Sequence, residues 1–302
     1  MPAKRIFVVF LLFGSFLLQG QTLPSKQIVF VSDTQEPMWI ENVFLKANQN
    51  QRATKMIFED ISKAEPRSVY ILGDIVSLGF KNKRWKKIDQ YIADLRNKNI
   101  DVHAVLGNHD VMRKAKRGEV NFQKRFPDHV RTGYVDIVDS VAIVLVNSNF
   151  SKLSSDAIVH QQEWYEKMIA SLDTFKVVKA VIVTCHHAPY SNSKLVGSNE
   201  IVQRRFVTAF LESKKCVLFV TGHSHAFEHF KKSGKDFLAI GGGGGIHQPL
   251  GTSLEDTARD YKPMFHYLTV DRMDKKLILF SYYIKDDFSG IEKKYNLSIA
   301  IP

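Results

Sequence analysis

Cysteine is scarce in this 302-residue chain: Cys185 and Cys216 are the only two. An even count invites a disulfide, but the strand pattern argues against one. Cys185 follows the apolar run 180–184, whereas Cys216 opens the run 217–220. In parallel strands these are opposite ends, separated by about 15 Å at roughly 3.3 Å per residue. A bridge needs Cα atoms within about 7 Å, so both read as buried free thiols. A membrane-length apolar run is also missing near the start, where the stretch 6–18 is broken by Gly14 and Ser15. A membrane span needs roughly 20 apolar residues. With 9 prolines and 17 glycines the chain is neither collagenous nor disordered in composition. No break rich in Pro or Ser divides residues 21–302 and no repeat recurs in them, so they read as one domain.

What is present near the start is a short basic region, Lys4-Arg5, then the apolar stretch, then the polar segment Gln19-Gly20-Gln21-Thr22. That order describes a secretory signal over 1–20, cleaved near Gly20. No cysteine suited to lipid attachment follows it. The expected protein is therefore exported, periplasmic or secreted, with no stable membrane span in its mature form. Basic residues outnumber acidic ones, 42 to 31. Loss of the leader would remove two cations and no acid, so the mature chain stays basic. Such a balance suits phosphorylated substrates, nucleic acid or an anionic surface; a lysine-rich solvated surface would give the same composition.

Short apolar runs alternate with helix-like stretches. Strands are expected at 28–31, 68–72, 102–106, 141–146, 180–184, 217–221 and 237–240, with a hairpin joining 266–271 to 276–284 around Met273-Asp274. Helices are expected at 52–63 and 85–97, each with apolar residues along one face, and a further helix at 161–172. Early alternation of strand and helix indicates parallel pairing, and the strand-rich later part a second sheet.

Five short motifs follow five of these strands: Asp33-Thr34-Gln35, Gly73-Asp74, Gly107-Asn108-His109-Asp110, His186-His187 and Gly222-His223-Ser224-His225. Ligands bind outside the carboxyl ends of strands in open α/β sheets, so these distant residues should converge. Two carboxylates, an Asn carbonyl and several imidazoles form a ligand set for divalent transition metals rather than Ca²⁺. Singly, each motif is as well explained by a turn, a helix cap or a loop histidine. Their joint occurrence at strand ends is what carries the reading. Five consecutive glycines, 241–245, read as a tight backbone turn near the same place. His103 and His266 fall inside strands and read as structural; His247 could reach the site but is assigned no role.

With these motifs the chain resembles the calcineurin-like metallophosphoesterase family, and within it the purple-acid-phosphatase-like secreted branch. The resemblance covers essentially all of 27–285. It includes Leu145-Val146-Asn147-Ser148-Asn149, Gln161-Gln162-Glu163-Trp164, His186-His187-Ala188-Pro189-Tyr190-Ser191 and the glycine run. It implies an α/β fold, a four-layer αββα sandwich of two mixed sheets flanked by helices, with a dinuclear metal site at the strand C-terminal edge. It also implies metal-dependent hydrolysis of a phosphate monoester or diester by a hydroxide bridging two divalent transition metal ions, Mn, Fe or Zn.

Carried over residue by residue, Asp33, Gln35 and His225 would hold the first metal, Asp74 would bridge, and Asn108, His186 and His223 would hold the second. His186 is preferred to His187 because the family places an aromatic four residues after the ligand, where this chain has Tyr190. His109 would donate to the leaving group, with Asp110 orienting it. Paired cations acidify a shared water and clamp ester oxygens, and phosphoryl transfer asks mainly for positioning and charge stabilisation.

Two departures stand out. Most relatives have Asp-x-His where this chain has Asp33-Thr34-Gln35, and an amide is a weaker donor than imidazole. The purple branch places a Tyr three residues after the bridging Asp; here it is Ser77, so a tyrosinate-bound iron centre is not expected. Basic residues crowd 81–87 and 113–125, and Arg113, Arg117 and His187 are candidates for contact with a phosphorylated small-molecule substrate. Solvated helix faces would look the same. No recognition helix or aromatic-rich basic sheet marks a nucleic-acid binder. The rival readings are a catalytically weak module that binds a phosphorylated ligand, and an exported nuclease.

Overall fold

The computed structural model describes residues 27–258 and 264–302; the expected leader at 1–20 lies outside them. In chain order the first strands are β1 (Ile28–Val31), β2 (Ser68–Ile71), β3 (Asp101–Ala104), β4 (Gly133–Val138), β5 (Val141–Val146) and β6 (Ala180–Thr184). They are followed by β7 (Cys216–Thr221), β8 (Phe227–Lys232), β9 (Lys235–Ile240), β10 (His266–Met273), β11 (Lys276–Ile284) and β12 (Ile291–Ala300). They form two six-stranded sheets, ordered β12-β11-β10-β1-β2-β3 and β4-β5-β6-β7-β9-β8. In the first, β1, β2 and β3 run parallel. In the second, β5, β6, β7 and β9 run parallel.

The partition differs from the expected one in one respect. The C-terminal hairpin does not belong to a second sheet; β10 pairs antiparallel with β1 and completes the first. The second sheet begins instead at β4 and is built from the middle of the chain.

Alternation along the strands sorts their side chains into three apolar layers. Ile28 and Phe30 of β1 point into the space between the sheets, where they join Leu72, Ile143, Ile182 and Val220. Val29 and Val31 face the other way, with Ile57 and Ile61 of the helix Asn50–Ala64 and Trp85 and Ile92 of the helix Asn82–Asn97. On the far side of the second sheet, Val144 and Val183 pack with Tyr165 and Ile169 of the helix Ser155–Thr174 and with Phe206 and Phe210. A helix layer thus covers the outer face of each sheet, giving the four-layer αββα sandwich. Strands buried on both faces read as continuous apolar runs, which is why they stand out in the sequence. Each such Leu, Ile, Val or Phe contributes roughly 1.5–3 kcal/mol by leaving water.

Cys216 lies opposite Val181 in the β6–β7 pairing, four residues from Cys185, and both thiols are free and buried. Burial pushes each thiol up to about 12. Among the described residues no helix is long and apolar enough to cross a membrane.

Candidate metal centre

Every parallel strand that carries a motif ends at one edge of the sandwich. Asp33, Asp74 and Asn108 follow β1, β2 and β3 of the first sheet, and His186, His223 and His225 follow β6 and β7 of the second. The site is therefore assembled between two sheets, which explains why its residues are scattered from 33 to 225.

Local backbone geometry shows the constraint. Asp33, Asp74, His223 and His225 all have positive φ, between 48° and 74°. Non-glycine residues rarely adopt that region, and such strain gathers where a surrounding structure over-determines function. Glycines let the loops close around them. A Cβ on Gly222 would lie 1.9 Å from Ser32 Oγ, and one on Gly107 would lie 2.1 Å from Asp74 Oδ1. The glycine run does what a tight turn near the site should do. Gly243 and Gly245 donate backbone N–H to the carbonyls of Ser32 (2.8 Å) and Asp33 (2.6 Å), and Gly245 lies against the His225 ring.

Two groups of donor atoms, each lying within 4.8 Å of one another, share Asp74. One is Asp33, Asp74 and His225; the other is Asp74, His186 and His223. His186 Nδ1 donates to the Leu72 carbonyl at 2.9 Å, which turns Nε2 inward to 3.3 Å from Asp74 Oδ2 and 3.1 Å from Asn108 Oδ1. His225 Nδ1 donates to the Ile246 carbonyl at 2.6 Å, leaving Nε2 3.3 Å from Asp33 Oδ1. A backbone acceptor that fixes the tautomer and presents the other nitrogen is the usual outer shell of a metal-binding histidine. Asp33 Oδ2 accepts the His223 N–H at 2.8 Å, while Asp33 Oδ1, buried, accepts no hydrogen bond. An orphaned buried carboxylate oxygen facing an imidazole lone pair is what a cation would satisfy. The mixed N and O donor set fits transition metals.

Gln35 belongs to the first group. Its amide nitrogen donates to the carbonyls of Asp33 (3.2 Å) and Asp74 (2.7 Å), and its oxygen then faces His225 Nε2 at 3.2 Å. The reverse orientation would set oxygen against two carbonyls.

Charge follows the same geometry. Burial would raise the Asp33 and Asp74 carboxyls, but the facing histidines, His186 foremost, outweigh it and hold both below the usual carboxylate range. Burial lowers His186, yet Asp74 and Asp33 pull it up to about 9. Its neighbours go the other way: burial and the adjacent His186 push His187 down to about 3 and His223 well below the ordinary value.

His109 stands beside this cluster. Its backbone N–H donates to Asp74 Oδ1 at 2.7 Å, and its Nε2 lies 3.8 Å from Asp74 Oδ2. Its Nδ1 faces the Ser77 carbonyl at 3.3 Å. That corrects the expected role of Asp110. The Asp110 carboxylate accepts backbone N–H groups of Ile75, Val76 and Gly107, at 3.1, 3.3 and 2.9 Å, and binds the Asp74 loop rather than orienting the His109 ring. Burial and nearby Asp74 push it up to about 8.

His187 Nδ1 lies 2.8 Å from Ser148 Oγ, and its ring packs 4.4 Å from the His223 ring. It thus borders the cluster. Arg113 and Arg117 are exposed, and among the described residues no hydrogen bond or ion pair ties either to the cluster. His266 is buried and structural, pushed down to about 4 by burial, and His103 stacks on Tyr70 at 5.2 Å. His247 packs its ring 4.3 Å from Phe265.

Sequence reasoning missed the supports. The Leu72, Ser77 and Ile246 carbonyls leave no side-chain signal. Glu228 lies in the polar-looking strand Phe-Glu-His-Phe-Lys-Lys and gives no signal of burial in sequence. It is fully buried and accepts from Ser191 Oγ at 2.9 Å and from the Asn192 N–H, tying the loop after His187 to the strand after His225.

The model of the calcineurin-like phosphoesterase family matches residues 26–227, two-thirds of the chain, and takes in all five motifs. The chain belongs to the calcineurin-like phosphoesterase family. No curated protein matches it. Among solved structures it is similar to GAP50, the anchor in the inner membrane complex of Plasmodium, with 13% identity, TM-score 0.68, and coverage of 91% of this chain and 89% of that one. It is also similar to the purple acid phosphatase PPD1 of yellow lupin (Lupinus luteus) seeds, at 16% identity and TM-score 0.65, covering 91% of this chain and 53% of that one. A dimetal phosphatase from Danio rerio matches at 13% identity and TM-score 0.56, covering 93% and 100%. At these identities the likeness is one of fold. For a calcineurin-like phosphoesterase, the two donor groups sharing Asp74 are the expected place for a dinuclear metal centre.

Proposed function

We propose that this calcineurin-like phosphoesterase is a metal-dependent hydrolase of phosphomonoesters or phosphodiesters, with Asp33, Gln35, Asp74 and His225 around one cation and Asp74, Asn108, His186 and His223 around the other. The observation that carries the reading is the sharing of Asp74 between two compact donor groups. Bound there, two cations would supply charge stabilisation for an ester phosphate and acidify water.

The chain's own residues supply the rest. The Leu72 and Ile246 carbonyls hold His186 and His225 as Nε2 donors. The backbone N–H of His109 occupies Asp74 Oδ1, which fixes the carboxylate plane and leaves Oδ2 toward His186. His109 protonated on both nitrogens would keep one proton toward the Ser77 carbonyl and offer the other, on Nε2, to the departing oxygen. His187, held by Ser148 beside His223, would meet a phosphate oxygen of the substrate. The same proposal includes export after loss of residues 1–20 and a single phosphoesterase domain over 21–302; amino-terminal sequencing of the protein from its native cell tests the first.

Turnover of aryl phosphomonoesters and phosphodiesters with added Mn²⁺ tests the activity. Hydrolysis of either class, abolished by Asp74→Ala, is the expected result. A second reading, a module that binds a phosphorylated ligand without useful turnover, draws on Gln35, whose amide donates less electron density than imidazole. It predicts ligand binding with no hydrolysis of any ester at any metal level. Single-stranded and duplex DNA in the same assay test the nuclease alternative.

A further inference from the structure

The loop that carries His109 runs on into a stretch without acids. Between Asp110 and Glu119 the chain reads Val-Met-Arg-Lys-Ala-Lys-Arg-Gly, and from Phe80 to Lys87 it reads Phe-Lys-Asn-Lys-Arg-Trp-Lys-Lys. Arg84 and Lys87 in the second stretch share Glu36, each at 3.3 Å. Lys81, Arg113 and Lys114 have no carboxylate within ion-pair distance among the described residues, whereas the nearby Arg125 and Arg131 are paired with Asp89 and Glu119.

The two stretches are welded beside the candidate metal centre. Gly79 donates its N–H to the His109 carbonyl at 3.3 Å, and its own carbonyl accepts from Trp85 Nε1 (2.8 Å) and Asn121 Nδ2 (3.0 Å). A Cβ on Gly79 would lie 1.9 Å from the Asp110 carbonyl oxygen, and one on Gly118 would lie 2.1 Å from the same atom. Three backbone segments meet there with no side chain between them. The platform is therefore rigidly joined to His109. One residue further on, the partly exposed Phe80 ring has Lys81 Nζ and Lys114 Nζ each 5.7 Å from its centroid. The ring's negative face favours each ammonium by roughly 0.5–1 kcal/mol at exposed sites, but it does not neutralise them. Two ammoniums gathered on one ring, with Arg113 on the adjoining loop and no acid between, form a preorganised place for an anion.

We propose that Phe80, Lys81 and Lys114, with Arg113, form a subsite for a second anionic group on the leaving-group side of the centre. The preferred substrate is then a small phosphoester whose leaving group carries a further phosphate. This rests on the hydrolase reading above, which puts the leaving group beside His109. In the reaction, water adds to phosphorus, the bond to the leaving oxygen breaks, and that oxygen takes a proton. The products are orthophosphate and a leaving group that still bears its own phosphate. Lys81 follows Gly79 by two residues, and the Gly79 N–H is bonded to the His109 carbonyl, so the platform adjoins the residue that would meet the leaving group. A single ring without a row of stacking partners does not suit a nucleic-acid strand.

The test uses the full chain with fructose 1,6-bisphosphate and fructose 6-phosphate as probes, read by calorimetric Kd and, with Mn²⁺ added, by kcat/KM. The bisphosphate should bind on the order of tenfold more tightly at low salt, the scale of a charge-assisted hydrogen bond reduced by solvent screening. That preference should fall to near one in Lys81→Ala/Lys114→Ala and in Lys81→Gln/Lys114→Gln, and should shrink in high salt. Equal affinity for the two probes in wild type, or a preference unchanged in both variants, overturns the subsite. So does an oligonucleotide that outcompetes the bisphosphate. Bisphosphate preference in the calorimetry with no turnover of any ester leaves the anion subsite standing and removes the hydrolase reading instead.

Discussion

Gln35→His changes the first donor group in a way the structure lets one weigh. The amide nitrogen of Gln35 donates to the carbonyls of Asp33 and Asp74, so imidazole at this position gives up two hydrogen bonds. Neither carbonyl is orphaned. Asp33 O still accepts from the Gly245 N–H at 2.6 Å and Asp74 O from the residue-35 backbone N–H at 3.1 Å. The stability cost should therefore stay near the lower end of two ordinary hydrogen bonds, about 1–2 kcal/mol. Against that, the Gln35 oxygen, 3.2 Å from His225 Nε2, is replaced by a stronger nitrogen donor. First-site affinity should rise on the order of tenfold, or about 1.4 kcal/mol. Wild-type protein should be partly depleted at that site and gain activity with added Mn²⁺, and the variant should need less. Metal stoichiometry and turnover, followed together across a Mn²⁺ titration, report both. Wild type already holding two tightly bound ions, with Gln35→His binding neither more tightly, would refute the weak-first-site argument.

His109→Ala should keep its metal, because the backbone N–H that holds Asp74 survives, while turnover falls about 10²–10⁴-fold; the loss should shrink for esters with good leaving groups, and metal loss would mark His109 as a ligand. Glu228→Ala removes the acceptor of the half-buried Ser191 hydroxyl and Asn192 N–H, at about 1 kcal/mol each, and should lower both the melting temperature and metal retention, with Glu228→Gln recovering most of both; an unaltered melt would sink this. His129 and His266 are both pushed down to about 4, chiefly by burial. At these two sites the unfolded chain therefore binds more protons than the folded one between about pH 6.5 and 4, and the stability they contribute should fall as pH drops through that window. Urea melts showing a flat profile there, or the same slope in His266→Gln, would contradict it.

Much of this was legible in the sequence because strands buried on both faces announce themselves. β1, β2, β3, β5, β6, β7 and β9 were all expected within a residue or two, and with them the loops that carry the ligands. The strands that escaped notice, β4, β8 and β12, are all edge strands of the two sheets. β12 is largely exposed, so its apolar signal is weak. β8 is hidden differently: Glu228 and His229 look polar in sequence but are buried with partners, His229 Nε2 lying 2.8 Å from Asp236. The joining of β10 to β1 was not readable from local pattern, since antiparallel pairing across more than 230 residues leaves no periodic trace. At the site, side-chain motifs were visible and their backbone supports were not. Asp110 shows the limit of a motif. It follows His109 in sequence, yet its carboxylate turns to the backbone of the Asp74 loop.

The central claim is that two cations share Asp74, and it is tested most directly by metal content measured beside turnover in wild type and Asp74→Ala. Wild-type protein saturated with Mn²⁺ should bind two ions per chain and hydrolyse an aryl phosphoester. Asp74→Ala should lose the paired binding and the activity together, because neither ion then has the shared carboxylate that offsets their repulsion. Two ions and full turnover in Asp74→Ala would contradict the account.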